Sequence, residues 1–296
     1  MPMQKRPFPP DRIQPLLCCP RCLGTLQMPA LGQQGTIHCL QCGPVGLVRS
    51  GQYLFESLEQ AAWESDWLPR AKNYAKQRLG RWYPLAIRLL APVYSPPWAK
   101  RFLKTFDLSQ QTVADLGSGM TSYRQPVLLV DGAAYPHLDL VCRLEHLPIR
   151  NNCLDGLISV AVLEHVPNPQ EHVVQMYRVL KPGGRLLCYV PFLQGYHASP
   201  DDFQRWTISG LRELFGQFEM LQLRVGAGPT SALVWQLQEW LALTLSLGSR
   251  WLYRLLLPLT WLLSPLKYLD LLLQHHPEAH RIASALVLEA KKPEHP

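Results

Sequence analysis

Short apolar runs, separated by polar turns, fill the chain from residue 112 onward. Val113–Leu116, Val127–Val130, Leu138–Val141 and Leu154–Val162 predict four strands. Gln170–Leu180 places apolar residues at helical spacing, and Pro182-Gly183-Gly184 ends that helix. Arg185–Val190 predicts a fifth strand, Ser209–Phe215 a helix, Phe218–Val225 a strand and Ala285–Glu289 a last strand. Strands alternating with helices define an α/β protein with a parallel, doubly wound sheet. Residues 228–284 read as a hydrophobic helical insertion before the last strand, Leu-rich from Trp240 to Leu273. The longest uncharged piece within Trp251–Leu273 is Leu255–Leu266, twelve residues. That falls short of the roughly 18–20 needed to cross a bilayer. Pro258 and Pro265 interrupt it, so an interfacial element is expected rather than a spanning helix.

The pattern upstream is different. Residues 1–15 read as a disordered, Pro-rich arm without the apolar stretch of a secretory leader. In residues 16–56, Leu16-Leu17, Thr36-Ile37-His38 and Val45–Val48 predict short strands around two cysteine pairs. Cys19-Pro-Arg-Cys22 and Cys39-Leu-Gln-Cys42 each put two thiolates on one tight knuckle, with sixteen residues between the pairs. Two such knuckles close a tetrahedral four-sulfur cage around Zn2+, with no position left open for catalysis. Cys18, beside the first knuckle, is a substitute for Cys19, although the Cys-Pro-x-Cys form favours Cys19. The other cysteines are scattered among apolar residues, which fits one metal site in a reducing, cytoplasmic compartment better than a disulfide framework. Residues 57–110 read as a helical linker broken by prolines, and 111–296 as the large domain. The zinc module is expected to unfold without disturbing that domain.

The net charge of +7 is unevenly placed. Asp66–Lys104 holds nine Lys or Arg and a single acid, interleaved with Trp67, Tyr74, Trp82, Trp98 and Phe102. Such a stretch suits an anionic membrane surface or, less favoured, a nucleic acid; a solvated helix face with inward aromatics gives the same pattern.

Within the large domain, Asp115-Leu-Gly-Ser-Gly119 ends the first strand in an acid and a glycine turn that lets backbone approach a ligand closely. Asp131 ends the second strand, where ribose hydroxyls of a nucleoside can be held. The fourth strand runs out into Glu164-His165. After the fifth strand, His197, Asp201, Asp202 and Arg205 cluster at the carboxyl edge, where open α/β sheets place their ligands. That cluster reads as an acceptor-binding loop, with His197 or an Asp as base or orienter. It also reads as salt bridges at the start of the next helix, with Thr207 capping it. His275, His276 and His280 read as loop histidines.

VADLGSG, LLVDG, HLPIRNNCLDGLISVAVLEHVPNP and MYRVLKPGGRLLCYVPF, in this order, resemble an S-adenosylmethionine-dependent methyltransferase of the Rossmann-like class. The likeness covers residues 110–225 and is closest to the ubiquinone/menaquinone methyltransferase group. Residues 16–48 resemble the zinc-ribbon family whose free-standing members activate several methyltransferases. The resemblance implies a Rossmann-like, seven-stranded, mostly parallel sheet with helices on both faces, and S-adenosyl-L-methionine as cofactor. It implies that Asp115, Gly117 and Gly119 surround the methionine part, that Asp131 holds the ribose and that Glu145 lies near the adenine. Glu164, His165, His197, Asp202 and Arg205 then face the methyl acceptor, with His197, His165 and Asp201 as catalytic candidates. A non-catalytic adaptor on the same fold, or an RNA or protein methyltransferase, is the alternative. Two departures stand out. Only eleven residues separate Gly119 from Asp131, too few for the usual helix, and Arg143 stands where an acid often precedes the adenine loop.

Overall fold

A computed structural model describes residues 8–55, 78, 83–198 and 201–294. Much of the basic, aromatic stretch, including Trp67, Tyr74 and Trp82, lies outside the described residues. Four short strands, β1 (Leu26–Gln27), β2 (Gly35–Cys39), β3 (Gly43–Arg49) and β4 (Gln52–Leu54), build the cysteine module. Seven more follow: β5 (Val113–Leu116), β6 (Leu128–Asp131), β7 (Leu140–Val141), β8 (Leu154–Val160), β9 (Leu180–Pro191), β10 (Glu219–Ala227) and β11 (Ala285–Lys291). They join in one sheet, ordered β1-β2-β3-β4-β7-β6-β5-β8-β9-β11-β10. The stretch from β7 to β9 is parallel, and β11 runs antiparallel to both its neighbours. The seven-stranded, mostly parallel core expected from the sequence is therefore present.

Residues along these strands alternate between two apolar layers, as the two-residue period of a strand requires. Ala114, Leu116, Leu128 and Val130 enter one layer. Val113, Leu129, Ile158 and Leu187 enter the other. Burial on both faces explains why these strands read as unbroken apolar runs.

Two expectations about the N-terminal part need correction. The arm is ordered from residue 8: α1 (Pro10–Ile13) leads into a 3-10 turn, and Phe8 and Ile13 are buried. Arg12 fixes it by donating to the carbonyls of Leu108 (3.0 Å) and Gln111 (3.0 Å). The cysteine module is also not a separate body. β4 pairs in parallel with β7, Tyr53 opposite Leu140, and the Tyr53 N–H donates to the Asp139 carbonyl at 3.0 Å. Ile37, Val45 and Tyr53 belong to the same apolar layer as Leu128 and Val130. Short runs between cysteines carry no sign of which distant edge they pair with, so sequence alone favoured a detached ribbon.

The linker region contributes α2 (Tyr83–Leu90) and α3 (Trp98–Leu103). Trp98 and Phe102 are buried, and the Trp98 indole N–H donates to the Gly226 carbonyl at 2.8 Å. These two aromatics pack inward. Further on, α4 (Pro169–Val179) stops at Val179, and β9 already begins at Leu180. Pro182-Gly183-Gly184 thus lies inside the strand as an irregularity, marked by a register shift against β8 between Leu154 and Gly156. α5 (Ile208–Leu214) is capped by the Thr207 hydroxyl, which accepts from the Gly210 N–H at 3.1 Å.

The insertion is helical, as expected: α6 (Pro229–Leu245), α7 (Arg250–Thr260), a 3-10 stretch over Trp261–Leu269, and α8 (Asp270–Leu273). Arg250–Leu273 is a continuous helical run of 24 residues, long and apolar enough by length and composition to cross a membrane. One side of it is tied to the domain. Asp270, fully buried, accepts from the N–H groups of Thr230 and Ser231 (both 2.8 Å) and so caps the start of α6. Gly228 is needed there, since a Cβ would lie 2.4 Å from the Asp270 carboxylate. The Lys267 ammonium, also buried, donates to the Ala91 carbonyl just past the end of α2.

Candidate functional site

At the carboxyl end of β5 the chain turns through Gly117 (φ +73°) and Gly119 (φ +52°), a left-handed backbone that suits glycine. A Cβ on Gly117 would sit 2.4 Å from Val162 Cγ2, so the loop lies against the end of β8. A Cβ on Gly119 would meet nothing within 4 Å among the described residues. The Gly119 N–H donates to Asp131 Oδ2 at 2.7 Å, and the Ala133 N–H to Asp131 Oδ1 at 2.9 Å. Asp131 thereby ties the glycine loop to the end of β6 and keeps further lone pairs for hydroxyl donors. The Ser118 hydroxyl is buried with no hydrogen-bond partner among the described residues. The open space at Gly119, the Ser118 hydroxyl and the Asp131 carboxylate at the neighbouring strand end, with Asp115 buried beneath them, fit the methionine and ribose parts of S-adenosylmethionine. Asp115, Gly117, Gly119 and Asp131 would hold it.

Asp115 is buried and accepts from the Tyr123 hydroxyl at 2.8 Å. No helix forms between Gly119 and β6, in keeping with the short spacing, and Tyr123 fills that place. Burial pushes the Asp115 carboxyl up to about 7; the Tyr123 bond opposes this and nearby Asp131 adds to it. A raised acid destabilises the fold once it must ionise. Stability from this group is complete below the ordinary value near 3.8 and is lost as pH climbs toward 7. Ligand-free protein should lose about 1.4 kcal/mol per pH unit across that window through Asp115. Asp115→Asn should flatten that slope in denaturant titrations run from pH 4 to 8. An unchanged slope would show that Asp115 ionises freely in the fold.

Glu145 is buried, with Arg143 Nη2 3.9 Å from its Oε1. The departure at Arg143 therefore places a cation beside the expected adenine acid. The neighbouring loop is held from below by His172, whose Nδ1 lies 3.1 Å from the Leu144 carbonyl. Burial pulls His172 down to about 4, so the ring is neutral. The short spacing itself pointed to a tight turn at Tyr123-Arg124, and Tyr123 takes that place. His172 was not singled out by sequence; its signal was a histidine on the inner face of α4.

The acceptor-side candidates come together at the next strand end. Ala161 (φ +55°) turns the chain off β8 into a 3-10 turn, Leu163–His165. Glu164 is fully buried. His165 Nε2 lies 3.8 Å and His197 Nε2 3.6 Å from Glu164 Oε1. Asp202 pairs with the Arg205 guanidinium through both oxygens, the second at 2.7 Å, and accepts from the His197 N–H at 2.9 Å. Burial would raise the Asp202 carboxyl, but Arg205 and the His197 N–H hold it below its ordinary value. For His197 burial pulls the pKa down, yet Glu164, the Gly195 carbonyl and Asp202 together hold it above the ordinary value. Asp201 enters by its carbonyl, 2.5 Å from His165 Nδ1, while the residue itself is exposed. Trp235 of α6 packs on the His197 ring at 5.5 Å, a contact sequence reasoning did not foresee.

In the cysteine module, the four Sγ atoms of Cys19, Cys22, Cys39 and Cys42 lie within 4.8 Å of one another. Main-chain N–H groups of Arg21 and Gln41 donate to Cys19 Sγ and Cys39 Sγ, both at 3.4 Å. An all-thiol set with N–H support fits a closed, structural zinc. Cys18 is buried and is not part of this cluster, so Cys19 is the one placed to ligate.

The sheet order and the site define a Rossmann-like domain with a nucleoside-type cradle at its strand ends. Residues 103–188 match the family described as "Methyltransferase domain". The ubiquinone/menaquinone biosynthesis C-methyltransferase UbiE of Bartonella quintana is 36% identical over 78 residues, 26% of this chain and 30% of that protein. UbiE of Haemophilus ducreyi is 33% identical over 81 residues, 27% and 31%. The chain thus spans about a third of the length of these curated relatives. Among solved structures, a Haemonchus contortus phosphoethanolamine N-methyltransferase with S-adenosylhomocysteine aligns over 75% of this chain and 60% of that one. Its identity is 15% and its TM-score 0.42.

Proposed function

We propose that this protein transfers the methyl group of S-adenosylmethionine to an acceptor held between Glu164, His165 and His197. The observation that carries this reading is the sharing of one sheet edge. The cofactor cradle ends β5 and β6, and the acceptor cluster ends β8, directly beside β5. Connections diverge at that point of the sheet, where open α/β folds bind their ligands. When bound, the cofactor supplies a sulfonium methyl that is already electrophilic. The chain's task is to place the acceptor in line and keep water out. The buried carboxylate and two imidazoles give the acceptor's departing proton a place to go. Incubation with methyl-labelled S-adenosylmethionine and separate lipid, RNA and protein fractions tests this. Label should enter one fraction, and His197→Ala should slow it while S-adenosylhomocysteine affinity stays near wild type. Transfer unaffected by His197→Ala would move the acceptor elsewhere.

The acceptor we favour is hydrophobic and reached at a membrane surface. Leu255, Leu259, Leu262, Leu266, Leu269 and Leu273 repeat at helical spacing and are all exposed, Leu262 to 75%. The opposite face of the same run carries the buried Leu257, Ser264, Lys267 and Asp270. Arg250 and Arg254 are exposed at its start. An apolar stripe with basic residues can hold a protein at an anionic bilayer. Flotation with anionic liposomes should show binding that falls with salt and falls again for Trp251→Ser with Leu262→Ser. A protein that stays at the bottom of the gradient at low salt would turn the acceptor toward a water-borne molecule.

A further inference from the structure

Glu164 presents a problem of charge. Its side chain is fully buried, and neither carboxylate oxygen has a hydrogen-bond partner among the described residues. A buried carboxylate without donors is costly unless a cation is beside it. The groups facing it are the Nε2 atoms of His165 and His197, at 3.8 and 3.6 Å from Oε1. The opposite nitrogen of each ring settles which one holds the proton. His165 Nδ1 lies 2.5 Å from the Asp201 carbonyl and His197 Nδ1 2.9 Å from the Gly195 carbonyl. A carbonyl oxygen only accepts, so each Nδ1 bears hydrogen and donates. In the neutral rings both Nε2 atoms are then lone pairs. Three electron-pair donors converge, and all lie within 4.8 Å of one another.

With both rings neutral, these converging lone pairs repel one another and suit a cation. We propose that Glu164, His165 and His197 form a second metal site, which holds a divalent transition-metal ion by one carboxylate oxygen and two Nε2 atoms.

The supporting geometry is what such a site needs. Histidine ligands commonly donate the other ring N–H to a backbone carbonyl, which fixes tautomer and orientation. Both rings do so here, and they stand perpendicular at 5.5 Å. Two ligand atoms each ~2.1 Å from an ion at a tetrahedral angle lie ~3.4 Å apart. The two separations from the Glu164 oxygen, 3.8 and 3.6 Å, exceed this by a few tenths of an ångström, and the two ring nitrogens lie within 4.8 Å of each other, so side-chain rotations close the set. The other charged groups nearby are already matched. Arg205 Nη2 lies 3.4 Å from His197 Nδ1, but its charge is paired with Asp202, whose Oδ2 is 3.7 Å from the same nitrogen. Two nitrogens and one oxygen suit zinc, iron(II), manganese or cobalt, and differ in kind from the all-thiol cage. Three protein ligands leave positions open for an oxygen ligand. On the methyl-transfer reading that ligand is an oxygen of the acceptor; the metal site itself stands without that reading.

The competing state has protons in place of the metal, with imidazolium rings paired to Glu164. Cobalt separates the two. Full-length protein with its cysteine cage zinc-filled is titrated with Co2+ and followed by visible absorption and calorimetry. The expected result is one Co2+ per chain, with ligand-field bands of nitrogen and oxygen coordination and no thiolate-to-cobalt charge-transfer band. Glu164→Gln and His197→Ala should each abolish uptake while zinc content and circular dichroism stay as in wild type, and Cys18→Ser should leave uptake intact. No uptake by the wild type, uptake with thiolate charge transfer alone, or uptake unaffected by both site variants would overturn the proposal. Wild-type S-adenosylhomocysteine binding, measured on the same sample, reports separately on the cofactor cradle.

Discussion

Cys39→Ser should release the zinc and destabilise the whole chain, not the first fifty residues alone. Structural zinc contributes an apparent ~10–16 kcal/mol in small zinc-finger peptides. In this protein the cage is continuous with the domain. Ile37 and Cys39 lie in the same apolar layer as Leu128 and Val130. β4 covers β7, which pairs with the Asp131-bearing β6. Losing β4 would leave β7, two residues long, as an unprotected edge beside the cofactor cradle. The variant should therefore unfold at markedly lower denaturant and bind S-adenosylhomocysteine more weakly. Metal analysis, chemical denaturation and calorimetry on one preparation check this. A zinc-free variant with wild-type cofactor affinity would mean that the ribbon is only an attachment.

The two glycines of the cradle should fail in different ways. Gly117→Val should abolish cofactor binding and cost several kcal/mol of stability. The residue is held at φ +73°, and its new side chain would overlap Val162 Cγ1 and Cγ2, 2.9 and 2.4 Å from the Cβ alone. Gly119→Ala should cost only about 1–2 kcal/mol, the left-handed penalty, because nothing among the described residues lies within 4 Å of its Cβ. Its methyl group would occupy the open space assigned to the cofactor, so affinity should still fall by at least tenfold. Denaturation and calorimetry on both variants read the two effects apart. Gly119→Ala with full affinity would move the cofactor away from this loop.

Most of the core was legible because buried parallel strands leave an unmistakable signature. Val113–Leu116 is buried throughout and Leu154–Val160 over most of its length, and the chain leaves each of them toward the residues of the candidate site. The acids Asp115 and Asp131 and both glycines were legible for the same reason: their chemistry is tied to strand ends. What sequence did not reveal depends on contacts between distant segments. Nothing in Gln52–Leu54 announces that it will pair with Leu140–Val141. Nothing in Phe8 or Ile13 distinguishes a packed arm from a loose one. Pro182-Gly183-Gly184 reads as a helix stop, yet the strand takes it in as a bulge because β8 and β11 pair with its flanks. Glu164, His165 and His197 could be named one by one as candidates. Their convergence, and the carbonyls that fix both rings, needed coordinates.

The central claim is that the Asp131-anchored cradle binds S-adenosylmethionine, and calorimetric titration with S-adenosylhomocysteine tests it most directly. Wild-type protein should bind one equivalent in the micromolar range. Asp131→Ala should weaken binding by about 1.5–3 kcal/mol, the scale of charged hydrogen bonds lost to the ligand and to the Gly119 N–H. Folded wild-type protein that gives no binding heat at high micromolar ligand, with no protection in thermal unfolding, would contradict the account and leave an adaptor on a methyltransferase fold.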